Sequence, residues 1–355
     1  MARRVSAAVA ALALVAAVLT SGCSTLGYYA QSVSGHLALV GSARPVADWL
    51  DDPATDPALK ERLALARRIR DYAVSALDEP DNASYRRYAD LKRAAAVWNV
   101  VAAPELSLKL HTWCFLVVGC VGYRGYYELA EAQSFAAGMR AEGLETAVYG
   151  VPAYSTLGML PFDWLADPLL STFIGYPEGE LARIIFHELA HQVAYAKGDT
   201  VFNESFATAV ERIGGQRWLA THASEQARET YARFDGRRRD FRALTAKYRA
   251  ALEALYASDV AEAEKRARKA ALYAEMRAEH ERVKRERWAG YAGYDAWFAS
   301  ANNASLGVLA AYTELVPDFM RLFEREGEDF ARFYTEVRRI AALDDKSARR
   351  VALGR

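Results

Sequence analysis

The chain has 355 residues, of which 52% are hydrophobic and 25% are charged, and its 45 basic residues balance its 45 acidic ones. This balance is typical of a globular protein with one large domain or two small ones. The 20 tyrosines and 7 tryptophans argue against a disordered chain. Nucleic acid is not an expected partner, because a surface that binds it needs a net excess of Lys and Arg.

The first 22 residues are predicted to be a signal peptide. Two arginines precede an apolar run over residues 5–19, and small residues lead up to Cys23. This run is shorter than the roughly 20 apolar residues that a membrane-spanning helix needs. The four residues that end in Cys23 resemble the lipobox of bacterial lipoproteins, although the favoured leucine stands one place early, at Leu19. The resemblance implies that Cys23 is lipidated; a plain secretory signal is the alternative.

The residue that follows Cys23 indicates which membrane would hold the lipid anchor. In lipoproteins of Gram-negative bacteria, a residue other than Asp at this position implies the outer membrane, and here it is Ser24. Several acyl chains on one cysteine anchor a protein far better than a single chain does. We therefore expect the protein to be held in the cell envelope by a lipid anchor in the outer membrane, facing the periplasm.

The first half of the mature chain is predicted to mix helices and strands. Apolar residues at steps of three and four favour a helix over 59–76, and a second helix is predicted over 129–143. Between them, β-branched and aromatic residues punctuated by Pro and Gly favour strands within 97–127. A strand is predicted over 146–151, and residues 154–158 are a candidate for another, at the sheet edge that would pair with an extended peptide.

Two cysteines lie in this region. Cys114 and Cys120 bracket five residues of an apolar stretch. An exported chain meets an oxidising compartment, so we expect a disulfide that closes this small loop. Two buried free thiols are the alternative. Neither cysteine has a His or another Cys at metal-ligand spacing, so a metal role is not expected.

Two neighbouring helices follow, over 178–196 and 204–219. Apolar positions on the first helix form a stripe that predicts burial. Gly198 falls where a cap would end this helix. Asn203 stands where an N-cap would begin the next one.

The rest of the chain is predicted to be helical. Interleaved charges over 221–288 are typical of solvated helices packed as an antiparallel pair, and a last helical stretch covers 306–339. We therefore predict an α+β fold that is predominantly α-helical, with a small β-sheet before the helix at 178–196 and a long helical C-terminal half. The predicted divisions are a signal peptide (1–22) and a single domain (23–355) made of a mixed region (23–176), two central helices (177–220) and a helical region (221–355).

The segment His187-Glu188-Leu189-Ala190-His191 carries the chemistry. On a helix, residues i and i+4 lie on one face about one turn apart, so both imidazoles can point at one metal ion. Glu188 leans to the side of that face, where it can reach a metal-bound water without filling the coordination shell. The pattern is the zincin motif. It predicts a Zn²⁺ site with His187 and His191 as ligands and Glu188 as the catalytic general base.

A catalytic zinc takes three protein ligands and leaves one position for water. Glu204, 13 residues after His191 and on the second helix, is the favoured third ligand, and Glu211 on the same face is its competitor. If Glu204 binds the metal, Thr208 and Glu211 are candidates to orient a histidine ring. The segment that begins Asn203-Glu204 resembles the second helix of gluzincins, which supplies a Glu in an Asn-Glu-x-x-Ala-like context.

This set of residues predicts a mechanism. Zinc lowers the pKa of its bound water toward 7, and Glu188 takes the proton as the water attacks a carbonyl and then delivers it to the leaving amine. The developing oxyanion needs at least one donor besides the metal. Tyr154 and Tyr312 are the candidate transition-state stabilisers, with Tyr123 and Arg124 as further possibilities.

The layout as a whole resembles the bacterial family of predicted aminopeptidases, which are zinc-peptidase lipoproteins. Besides the metal motif, segments 112–115, 119–126 and 167–172 carry the resemblance, which covers nearly all of the mature chain. It implies a metal-dependent peptidase with Glu188 catalytic and a peptide or protein as substrate.

Three functions stay open. The leading one is an envelope peptidase, in the family sense an aminopeptidase. However, the Gly-x-Met-Glu-Asn loop that commonly holds the substrate α-amine is missing, and Glu178, Glu180 and Asp167 are candidates to serve instead. The others are an envelope quality-control or maturation endopeptidase and a non-catalytic scaffold lipoprotein with a structural zinc. A structural site would have a fourth protein ligand and no use for Glu188.

Overall fold

The structure is a computed structural model that describes residues 27–115, 119–158, 160 and 162–354. The predicted signal peptide, Cys23 and Ser24 lie outside these residues. The described chain is mostly helical with small sheets, which confirms the prediction of a predominantly helical α+β protein. None of its described helices combines the length and the apolar sequence needed to cross a membrane.

Helices dominate both ends of the described chain. The helix predicted over 59–76 is present, and the charged stretch over 221–288 forms two long helices in contact, as expected. The helices are α1 (27–41), α2 (Val46–Asp51), α3 (Pro57–Leu77), α4 (Leu129–Ala141), α5 (Glu178–Val193), α6 (Thr200–Thr221), α7 (Glu225–Ala257), α8 (Glu262–Glu286), α9 (Asp295–Ser300), α10 (Asn303–Leu309), α11 (Val316–Arg325), α12 (Phe330–Ala341) and α13 (Lys346–Leu353).

The strands form three small sheets rather than one. They are β1 (Arg44–Pro45), β2 (Arg87–Ala89), β3 (Val97–Pro104), β4 (Trp113–Phe115), β5 (Gly119–Val121), β6 (Arg124–Tyr126), β7 (Leu144–Val151) and β8 (Leu169–Leu170). The orders are β1-β2-β8, β6-β3-β7 and β4-β5. A disulfide joins Cys114 to Cys120, which face each other across the β4-β5 pair.

Strand β3 is the centre of the largest sheet and is covered on both faces. It pairs antiparallel with β7 along its whole length, from Val97 opposite Val151 to Pro104 opposite Leu144. Successive side chains of a strand point to opposite faces. Small residues therefore cover β3 on each side: Val100 packs with the alanines of α4, and Val101 packs with Ala304 of α10.

The α5–α6 pair forms the middle of the main core. Helix α5 is buried on most of its circumference, and helices with apolar residues all round are interior helices. Gly214 lets α6 come close to its neighbours, because a Cβ there would lie 2.6 Å from Leu77 of α3 and 2.9 Å from Phe186 of α5. The stripe predicted on the first of the two helices is therefore packed on several sides.

The connection between α5 and α6 differs from the prediction at both ends. Helix α5 ends at Val193 rather than 196, and Gly198, with φ of +75°, lies within the connection rather than at the cap. Asp199, not Asn203, is the N-cap of α6 and accepts from the Phe202 amide at 3.2 Å. Asn203 instead bonds the backbone N–H and C=O of Ala196, at 2.7 and 2.9 Å. The side chain that looked like a cap therefore holds the loop closed.

Two other predicted elements are wrong. Residues 154–158 form no strand, because Leu157 and Gly158 both have left-handed backbone angles, with φ of 60° and 62°. The Asp167 carboxylate also takes the Thr156 amide, which a strand would need for pairing. The stretch over 306–339 is not continuous: it is broken into the separate helices α10, α11 and α12.

The start of α6 depends on the C-terminal helix. Asp199 is 1% exposed, and its carboxylate accepts from Arg349 at 3.1 Å and from Arg350 at 2.9 Å. Asp199→Ala leaves buried Arg349 without a counter-ion, so we expect the free energy of unfolding to fall by about 3–5 kcal/mol. Chemical denaturation followed by circular dichroism measures this change.

Two variants separate the causes. Asp199→Asn keeps an N-cap but removes the charge, and it should still lose most of that stability. Glu336→Gln, which breaks the exposed pair with Arg339, should cost less than about 1 kcal/mol. A loss for Asp199→Ala no larger than for Glu336→Gln would contradict the role of this ion pair.

Candidate metal centre

Three side chains meet across the contact between α5 and α6. His187 and His191 lie one turn apart on α5, and Glu204 lies one turn inside α6. The Glu204 Oε2 atom is 3.3 Å from His187 Nε2 and 3.8 Å from His191 Nε2. All three side chains are buried, and their ligand atoms lie within 4.8 Å of one another.

This geometry fits a zinc ion. Tetrahedral ligands with Zn–N and Zn–O distances near 2.0–2.1 Å lie about 3.3 Å apart. The measured separations of 3.3 and 3.8 Å are close to that value. Two imidazoles and one carboxylate are also the ligand set of catalytic rather than structural zinc. Within the described part of the chain, no fourth His, Cys, Asp or Glu joins this group.

Glu211, the competing ligand, lies behind His187. Its Oε2 is 3.1 Å from His187 Nδ1, so it faces the ring nitrogen that points away from Glu204. Burial raises the pKa of the Glu211 carboxyl, but Arg183 and His187 outweigh burial and bring that pKa down to about 2. An ionised carboxylate on Nδ1 orients the ring, as in carboxylate–histidine–zinc triads. Thr208 lines the same cavity, but no hydrogen bond links it to either histidine among the described residues.

The two histidines differ in charge. Burial lowers the pKa of His191 to about 4, so its ring is neutral, as a metal ligand must be. Burial also disfavours the charged form of His187, but hydrogen bonds to Glu204 and Glu211 outweigh burial and raise its pKa well above the usual value. His187 therefore holds a proton between two carboxylates, and a divalent cation would take the place of that proton.

Glu188 lies beside the three candidate ligands and lines the cavity. Burial raises the pKa of its carboxyl to about 8; His187 opposes this shift and Glu204 adds to it. A carboxylate with a raised pKa in a cleft is suited to accept and return a proton near neutral pH.

A cavity of about 650 Å³ opens beside the three ligands. Its walls come from α5 and α6, from α7, and from the segment between α10 and α11. That segment is tied to α6, because Ser205 Oγ, next to Glu204, donates to the Ala311 carbonyl and accepts from the Leu315 amide. The helical C-terminal half therefore forms part of the cavity rather than a separate body.

The tyrosine candidates occupy different places. The Tyr312 ring lies 6.3 Å from the His187 ring, and its hydroxyl helps to lower the pKa of Glu204 against the effect of burial. Tyr123 and Tyr154 also line the cavity. The Tyr154 hydroxyl is bonded to His36 Nδ1 at 2.7 Å.

Arg124, the remaining candidate, points elsewhere. Its guanidinium lies 4.1 Å from the centre of the Tyr28 ring and 4.5 Å from that of Phe135. These are cation–π contacts, which occupy the group outside the cavity. Of the four candidates, Tyr312 and Tyr123 line the cavity and have Glu204 among their electrostatic neighbours.

Comparison with known protein families gives one match. The family described as "Putative aminopeptidase" matches residues 27–353. The chain belongs to this family. Membership supports a peptidase-like function. No curated protein and no solved structure matches the chain.

The three acidic residues suggested for an α-amine are bonded to other groups in this member of the family. Glu178 accepts from Trp218 Nε1 at 2.9 Å, and Glu180 is paired with Arg238. Asp167 binds the Thr156 amide. None of the three lines the cavity.

Sequence reasoning also missed residues of the site. Arg183 holds Glu211, and α7 adds Arg242 to the cavity wall. Arg183 could have been found from the sequence, because it lies one turn before His187 on the same helix. No local signal marks Arg242, because its position depends on how α7 folds back.

The assignment of Glu204 and Glu211 can be tested by zinc binding. Glu204→Ala removes a ligand, so the purified variant should lose most of its zinc on dialysis. Glu211→Gln keeps an acceptor on His187 but removes its charge, so affinity should fall about 10- to 100-fold. Competition with a chromophoric chelator measures both effects.

Glu324→Gln, an exposed change on α11, is the matched control and should bind zinc normally. Full zinc content in Glu204→Ala would place the third ligand elsewhere. Unchanged affinity in Glu211→Gln would contradict its orienting role.

Proposed function

We propose that this protein is a zinc-dependent peptidase of the gluzincin type with a zincin-like fold. The observation that carries the proposal is the buried group formed by His187, His191 and Glu204, with Glu188 beside it at the wall of a cavity. Family membership agrees with this reaction class. The substrate is a peptide, and the reaction is hydrolysis of its amide bond.

A zinc ion held by His187, His191 and Glu204 would supply a Lewis acid for the scissile carbonyl and lower the pKa of water. Glu188 accepts a proton from the attacking water and later returns it to the amine nitrogen as the C–N bond breaks. Glu211 keeps the His187 ring in place throughout. The Tyr312 hydroxyl is the preferred donor to the oxyanion, because the Tyr312 ring stacks 6.3 Å from the His187 ring, whereas the Tyr154 hydroxyl is bonded to His36.

The cavity favours small or unfolded substrates. Its volume of about 650 Å³ is within the usual range for sites that enclose a ligand. Helix α7 and the α10–α11 segment form part of its wall and limit the width of a chain that can enter. A short peptide therefore fits the cavity better than a folded protein does. The envelope quality-control or maturation endopeptidase stays the second candidate, with an unfolded segment as its substrate.

A non-catalytic scaffold is less well supported. A structural zinc is closed by four protein ligands, whereas the described residues here offer three. Glu188 would also have no role beside a structural ion, and its burial would then cost stability without return.

The protein is further proposed to be a lipoprotein of the outer membrane that faces the periplasm. The support is Cys23 at the end of an apolar segment, four residues before the described chain begins. A lipid anchor there would hold the peptidase close to the membrane surface.

The catalytic assignment predicts that Glu188→Gln keeps zinc and loses hydrolysis. Gln is nearly the same size but accepts no proton at this pH, so turnover of peptides should fall by at least about 10²–10⁴-fold. The substrates are first identified by digesting a peptide library with the zinc-loaded protein and reading the products by mass spectrometry. Glu324→Gln should retain full activity, and a fully active Glu188→Gln would rule out this mechanism.

The anchor predicts that Cys23→Ser moves the protein from the membrane to the soluble fraction. Without the thiol no acyl chain can be attached, and the apolar segment alone is too short to span a bilayer. Cell fractionation with immunoblotting measures this, with Ser24→Ala as the control that stays in the membrane. Retention of Cys23→Ser in the membrane fraction would point to another means of attachment.

A further inference from the structure

The charges on the cavity wall are divided between its two sides. The carboxylates are Glu188, Glu204 and Glu211, and each already has a partner or a role in the metal centre. The wall from α7 is cationic instead, with Arg238, Arg242 and Arg249 facing the cavity. These residues are four and seven positions apart, so they lie along one face of the helix.

Only one of these three arginines lacks a counter-ion within the described chain. Arg238 pairs with Glu180, and Arg249 Nη2 lies 2.8 Å from Glu253 Oε1. The guanidinium of Arg242 has neither an ion pair nor a hydrogen bond to any described residue, and the residue is half-buried. It lies on the α7 turn between the other two.

The surroundings of Arg242 disfavour its positive charge. Burial, together with the charges of Arg212 and Arg183, lowers its pKa to about 10, while Glu211 acts in the opposite sense. A cation that is partly withdrawn from water and has no ion-pair partner gains from an anionic ligand that enters the cavity beside it. The guanidinium also offers two parallel N–H donors that match the two oxygens of a carboxylate.

The cavity lacks the complementary feature for a peptide amine. The acidic residues suggested from sequence, Glu178, Glu180 and Asp167, are bonded to other groups and do not line it. The three carboxylates that do line it belong to the metal centre. The charged group of a peptide that this cavity can best receive is therefore an anion.

We propose that Arg242 binds a carboxylate of the peptide substrate and so selects peptides with a free C-terminus or an acidic side chain. The inference rests on the proposed peptidase function. It makes Arg242 a specificity residue, and it predicts that substrate recognition depends on a carboxylate, at the C-terminus or in a side chain, rather than on the α-amine.

Binding of three matched peptides tests the role of Arg242 without requiring that the protein hydrolyse them. They are tetra-alanine with a free C-terminal carboxylate, the same peptide with a C-terminal amide, and amidated Ala-Ala-Glu-Ala. Binding to the zinc-loaded Glu188→Gln protein is measured by calorimetry. The free acid should bind about 10- to 100-fold more tightly than the amide, as expected for a hydrogen-bonded charge pair. The glutamate peptide shows whether a side-chain carboxylate can replace the terminal one.

Variants in the same background assign the effect to Arg242. Arg242→Gln should remove the preference for the acid without changing affinity for the amide, and Arg242→Lys should restore part of it. Arg239→Gln, an exposed arginine of α7 that does not line the cavity, should behave like the parent protein. Circular dichroism and thermal unfolding check that each variant is folded. If Arg242→Gln does not fold, Arg242→Lys still tests the proposal.

The outcomes separate the two proposals. Equal binding of all three peptides, binding of none of them, or a preference for a carboxylate that survives in Arg242→Gln overturns the carboxylate site. If the wild-type protein hydrolyses no peptide but the Arg242-dependent preference is present, the peptidase proposal fails and the carboxylate site stands. If the wild-type protein cleaves the three peptides with equal KM, the carboxylate site fails and the peptidase proposal stands.

Discussion

The structure depends on the position of one imidazole. His187 lies between two carboxylates of α6, with Nε2 3.3 Å from Glu204 and Nδ1 3.1 Å from Glu211. These two residues are seven positions apart on α6, so the ring spans two turns of the neighbouring helix. The contact joins α5 to α6, fixes the direction of the nitrogen that faces the candidate metal position, and sets the register in which His191 reaches Glu204.

This arrangement concentrates negative charge in the interior. Glu188, Glu204 and Glu211 lie close together at the wall of the cavity, Glu204 and Glu211 are buried, and like charges so placed destabilise a fold. Arg183 offsets one of them and the proton on His187 offsets part of the rest. A divalent cation would neutralise the remaining negative charge. The clustered carboxylates that destabilise the fold are therefore the groups that would favour metal binding.

The C-terminal half completes the site through several separate contacts. Arg349 and Arg350 of α13 hold Asp199 at the start of α6, one turn before Glu204. Ser205 holds the turn that carries Tyr312. Helix α7 lines the cavity with arginines and so decides which positive charges a ligand meets.

The sequence by itself determined what depends on local spacing. The i, i+4 histidines with Glu188 between them, the long charged helices and the cysteine pair could all be predicted from neighbours along the chain. Tertiary structure alone decided the rest, because the choice depends on distant partners. Glu211 can orient His187 because Arg183 binds its carboxylate and because α6 packs against α5 with this side chain facing the ring. Asn203 bonds the backbone of Ala196 in the loop, while Asp199, held by Arg349, caps α6. Arg242 reaches the cavity only because α7 folds back over it, and helical periodicity does not specify where a helix packs.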